Sequence, residues 1–127
     1  MSPMSGSDDR PSDPPRSHAA GLPYLSQHER EGAWVVAVHG AFDSNSTPSL
    51  SAALEAGAAS FSKVVVDAAG LTFADSTVLN VLLTFNRTAA ARLYVARPAP
   101  PLRRVLELTG ADTVLDIRPT LEDALAR

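Results

Sequence analysis

The chain of 127 residues contains no cysteine, which excludes disulfides and thiolate metal sites and leaves nothing that demands an oxidising compartment. Lysine is nearly absent: the 11 basic residues are arginines except for Lys63, a bias of the kind GC-rich codon usage produces. Against 14 acids they leave a net charge of −3, which argues against a broad surface for nucleic acid or anionic membrane. No apolar run approaches the roughly 18 residues that a membrane helix needs, and the N-terminus has no apolar signal-peptide core. Enzyme motifs are missing too: there is no Gly-rich phosphate loop, no G-x-S-x-G elbow and no H-x-x-x-H pair. His18, His28 and His39 have no spacing that sets two of them on one face as ligands. His39, near a strand end, reads as structural. These absences lead us to expect a cytoplasmic protein that is not an enzyme and uses no metal or cofactor.

What is present begins with a change in composition. Residues 1–22 are rich in Ser, Asp, Pro and Gly; such a segment buries too little apolar surface to offset its ordering entropy, so a disordered tail is expected. One domain then spans 23–127, large enough to bury about two-thirds of its unfolded surface. Tyr24–Glu29 alternates weakly, Arg30–Ala33 turns with Gly32 at its tip, and Trp34–Gly40 is a β-branched run ended by Gly40, which together predict a hairpin. Thr47-Pro48 starts a helix, with the Thr47 hydroxyl as cap and Pro48 where no N–H is needed. Leu50, Leu54, Ala58 and Phe61 give it an apolar stripe. Lys63–Gly70 is a continuous β-branched strand of the type buried on both faces, and Leu71–Phe73 leads on from it. From Val78 to about Ala91 the pattern is helical. Val78, Leu79, Val81, Leu82 and Phe85 form one side, and Thr77, Asn80, Thr84, Arg87 and Thr88 the other.

Arg92–Ala96 reads as a strand, 97–101 as a loop, and Leu102–Gly110 as a helix with Gly110 as its stop. A short strand follows over 113–117. The last helix, 120–127, opens with a capping box of Thr120 and Asp123. Arg103-Arg104 is read as a solvated face and Trp34 as sheet packing. The order β-β-α-β-α-β-α-β-α predicts an α/β fold with a mixed, largely parallel sheet of about four to five strands and about four helices.

Asp75-Ser76-Thr77 stands between a buried strand and a strongly apolar helix. Locally it is an ordinary helix cap, contributing about 1 kcal/mol. Equally, one of its hydroxyls could be the working part of the protein.

The stretch KVVVDAAGLTFADSTVLNVLL (63–83) resembles the signature of the STAS family, the bacterial anti-sigma-factor antagonists, whose strand leads to DSSGLG or DSTGLG at a helix start. VHGAFDSNSTPSL (38–50) is similar to the family's G-E-L-D turn and following helix, and LRRVLELTGAD (102–112) to its third helix. The resemblance implies a STAS fold with helices packed mainly on one face of the sheet. It implies that Ser76 is the phosphoacceptor of an anti-sigma factor that is also a serine kinase. The unphosphorylated protein then binds that partner and frees a sigma factor, and a serine phosphatase restores the active form. Asp75, Thr77, Asn80, Thr84, Asp43 and Asp67 are the expected partner-binding residues of a monomer or weak dimer. Three positions depart from the pattern: Ala41 replaces an acid, and Val78 and Asn80 replace two glycines. A STAS scaffold or transporter-associated module, with Ser76 only a cap, is the alternative. A small α/β enzyme is a third reading, which lacks a motif.

Overall fold

The computed structural model describes residues 22–126; the tail expected over 1–22 lies, up to residue 21, outside them. Strand β1 (Tyr24–Arg30) turns into β2 (Ala33–Phe42). Glu31 and Gly32 between them have φ of 53° and 80°, the left-handed pair that a tight hairpin requires. Helix α1 (Thr47–Ala58) crosses to β3 (Lys63–Ala74), α2 (Ser76–Thr88) to β4 (Arg92–Ala96), and α3 (Pro100–Thr109) to β5 (Asp116–Arg118); α4 (Leu121–Ala126) ends the chain. The sheet runs β1-β2-β3-β4-β5. β1 is antiparallel to β2, and every later pair is parallel, because parallel neighbours need the long crossovers that the helices supply.

Alternation along the strands divides the core. Val36, Val38, Val64, Val66 and Val95 face α1, α2 and α3, meeting Leu50, Leu54, Val78, Leu82, Leu102 and Leu106. Val35, Val65 and Tyr94 face the other way, where α4 covers them with Ala124 and Leu125. So three helices share one face, as the family resemblance implies. The Lys63 ammonium holds α4 in place by donating to the Leu125 carbonyl at 2.7 Å. Burial, with Arg92 beside it, makes that ammonium easier to deprotonate than a free lysine, against the pull of Glu31. Trp34 stacks on Phe61 at 5.3 Å and donates its indole N–H to Gln27 Oε1 at 3.2 Å.

Several expected boundaries move. Gly40 does not stop β2: at φ 88° it makes an irregularity, after which Ala41 and Phe42 pair again with Phe73 and Ala74. β3 likewise runs past Gly70 to Ala74, paired there with β2 alone, since its register with β4 ends at Asp67. The helix expected from residue 102 starts at Pro100, because its two prolines occupy first-turn positions that have no hydrogen bond to lose. The strand expected over 113–117 is instead a 3-10 turn at Ala111–Thr113 followed by the short β5. Thr113 Oγ1 donates to the Gly110 carbonyl at 2.7 Å and binds the β-branched residue to a turn. Thr47 does not cap α1. Ser46 precedes the helix with no side-chain cap, and Thr47 is buried. Thr120 does cap α4, accepting from the Asp123 N–H at 3.0 Å.

Gly40 is the sharpest test of this packing. A Cβ there would lie 2.1 Å from the Leu22 carbonyl oxygen, at φ 88°. Gly40→Ala is expected to lower stability by about 1–3 kcal/mol from backbone conformation alone, and by more once the clash is added. Urea denaturation reads this out; an unchanged midpoint would contradict both costs, and a loss no larger than the backbone cost would show that Leu22 is not held against β2.

Candidate functional site

The register of β2 with β3 places Phe42 opposite Ala74. Both strands end there, so the turn that starts at Asp43 and the cap that starts at Asp75 leave the sheet side by side. Each is organised by its own acid. Asp43 Oδ1 accepts from the Asn45 N–H at 3.0 Å and the Ser46 hydroxyl at 3.3 Å, and its carbonyl accepts from the N–H groups of Ser46 and Thr47. Asp43 thus builds the entry to α1 that the sequence reading gave to Thr47. Its side chain remains exposed.

Asp75 is the N-cap of α2, with extended backbone. Its Oδ1 accepts from the Thr77 N–H at 2.9 Å and from the Thr77 hydroxyl in a short hydrogen bond. That hydroxyl, more than any other group, holds the Asp75 carboxyl below the usual aspartate range; the Thr77 and Val78 N–H groups add to it, and partial burial opposes it.

This settles the geometry of the three polar residues. Asp75 caps, and half-buried Thr77 is committed to Asp75. Ser76, the first residue of α2, is exposed, and its Oγ makes no hydrogen bond among the described residues. Asn80 and Thr84 follow at one-turn intervals and are exposed on the same helix. Val78, in place of a family glycine, is 2% exposed and packs in the core, so it leaves the surface beside Ser76 unchanged.

Asp67 is elsewhere. It sits opposite Ala37 and Ala96, roughly 20 Å of strand before Ala74. It is buried and forms a fork with Arg97: Nε donates at 3.0 Å and a terminal nitrogen at 2.6 Å. The carboxylate in turn strengthens the guanidinium's hold on its proton. Arg97 has φ 51°, and its N–H donates to the Arg118 carbonyl at 2.9 Å. The sequence reading missed Arg97. Its signal is nonlocal, since the two partners lie 30 residues apart. Among the described residues no group of three His, Asp or Glu is placed to hold a metal ion, and no helix is long and apolar enough to cross a membrane.

The cap carries a pH dependence of known sign. A carboxyl with a depressed folded pKa stabilises the fold above its unfolded pKa of about 3.9 and loses that contribution as pH falls through its folded value. Asp75→Ala should therefore be less stable than wild type by about 1 kcal/mol at neutral pH. The gap should narrow as the pH is taken below about 3.9. Denaturation at both pH values checks this, and a gap independent of pH would contradict the cap.

Comparison with known proteins bears on what this arrangement is. A family model described as Mlab, STAS domain matches residues 25–119. Among solved structures, the chain is similar to an anti-sigma factor antagonist from Mycobacterium paratuberculosis, at 30% identity and TM-score 0.73, over 84% of this chain and 93% of that one. It shares its fold with SpoIIAA in the unphosphorylated form, at 20% identity and TM-score 0.64, over 82% of this chain and 95% of that one. The same holds for the Bacillus cell fate determinant SpoIIAA in the phosphorylated form, at 19% identity and TM-score 0.63, over 82% and 98%. No curated protein gives a match. With the family model matching residues 25–119 and the fold shared over 84% of the chain at 30% identity, the chain belongs to the STAS domain family.

Proposed function

We propose that the protein is an anti-sigma-factor antagonist. Unphosphorylated, it binds an anti-sigma factor that is also a serine kinase and so releases a sigma factor. Phosphorylation of Ser76 by that partner switches it off, and a serine phosphatase restores it. The observation that carries this reading is the free, exposed Ser76 hydroxyl at the start of α2, beside a threonine whose own hydroxyl is engaged. The likeness to an anti-sigma factor antagonist at 30% identity supports it. Such a partner places the protein in the cytoplasm.

The chemistry of the switch follows from the site. A phosphate adds about −1.5 to −2 charges and three acceptor oxygens. At Ser76 it meets the positive end of α2, worth about half a charge, so the fold tolerates it while the Thr77 and Val78 N–H groups stay bonded to Asp75. The surface is already acidic through Asp43 and Asp75. A partner carboxylate about 4 Å from the phosphate would be repelled by about 4 kcal/mol, or roughly a thousandfold in affinity. Asn80 and Thr84 extend the partner-facing side of α2. Asp67 enters only indirectly, by holding Arg97. A constitutive scaffold of the same fold would need none of this.

Ser76→Glu should keep the wild-type thermal midpoint and bind the partner kinase roughly a thousandfold more weakly. Ser76→Ala should bind like wild type and accept no phosphate. Titration calorimetry with intact mass after incubation with ATP distinguishes these outcomes. Equal binding by the two variants would replace the switch with the scaffold reading.

A further inference from the structure

α1 packs beside α2, and between them runs a groove of about 220 Å³ that begins one helical turn from Ser76. Its walls carry Glu55 and Ser51 from α1 and Asn80 and Thr84 from α2, and Val81 and Phe85 lie beneath. Phe85 is buried and Val81 half-buried, so the apolar surface is inside and the polar groups are at the lip. The Glu55 carboxylate is exposed and forms no ion pair among the described residues. Arg87 lies nearly a turn beyond Thr84 on α2 and does not line the groove. Glu55 is the one charged residue among those that line the groove.

We propose that this groove receives an arginine side chain of the anti-sigma partner and determines which partner the protein accepts. The inference rests on the function proposed above. The groove's chemistry selects the occupant: an apolar stem lies on Val81 and Phe85, and a charged end reaches a carboxylate at the lip. A planar guanidinium presents five donors, which suits the acceptors of Glu55, Asn80, Ser51 and Thr84. Asn80 stands where the family signature has glycine, so this chain adds an acceptor to that wall. Ser76 then decides whether the partner binds, and Glu55 with Asn80 decides which partner binds.

The test uses the full chain and the kinase partner that responds to the Ser76 variants. Glu55→Arg should weaken binding by about thirtyfold or more, the loss expected when one member of a desolvated charge pair is replaced. Its thermal midpoint should stay at the wild-type value, because Glu55 is exposed. Glu55→Gln should weaken binding less and flatten its salt dependence. Glu107→Gln, on the exposed side of α3, should bind like wild type. An arginine-to-glutamate replacement in the partner should restore binding to Glu55→Arg and to no other variant. Wild-type affinity for Glu55→Arg, with Ser76→Glu still defective, would overturn the groove assignment and leave the switch standing. Equal binding by Ser76→Ala and Ser76→Glu would instead overturn the function on which it rests.

Discussion

The parallel pairing of β2 with β3 is the constraint on which the site depends. Phe42 opposite Ala74 brings the ends of two strands together, and a residue lost from either would separate the Asp43 turn from the Asp75 cap. That pairing is deep in the core: Val36, Val64 and Val66 are at most 1% exposed. α1 and α2 hold it from one side and α4 from the other. The stiffness of the buried strands is therefore transmitted to a surface feature. Gly40 contributes by letting β2 bend and resume its ladder rather than stop.

At that end the backbone and the side chains divide the work. Oδ1 of Asp75 is occupied with the start of α2, and the Thr77 hydroxyl is occupied with Asp75. One hydroxyl, that of Ser76, is left facing solvent at the positive end of a helix. The capping role and the proposed switch do not compete for the same atoms. The helix can be well capped in both states of Ser76, so the switch changes a surface charge and leaves the fold intact.

Much of this was legible in the sequence, for local reasons. The β-branched runs over 34–40 and 63–70 marked the central strands, and alternation of strands with helical stripes gave a largely parallel sheet. The Asp75-Ser76-Thr77 triplet marked both a cap and a candidate site. What was not legible depended on three-dimensional neighbours. Gly40 and Gly70 look like strand stops until the partner strand is seen to continue beside them. Thr47 looks like a cap, but the Asp43 carbonyl makes the turn and Thr47 is buried. The resemblance makes Asp67 a partner-binding residue; that it is paired with Arg97, 30 residues on, is not visible in the sequence. Periodicity alone does not choose between the Ser76 and Thr77 hydroxyls; the family resemblance names Ser76, and the engaged Thr77 hydroxyl agrees with that choice.

The most direct measurement is the position of the phosphate. Incubating the wild-type chain with ATP and its anti-sigma partner, then sequencing the modified peptide by mass spectrometry, tests the account at a single residue. The account requires one phosphate, on Ser76, with Thr77 unmodified. A phosphate on Thr77, or none while the partner binds tightly, would contradict it.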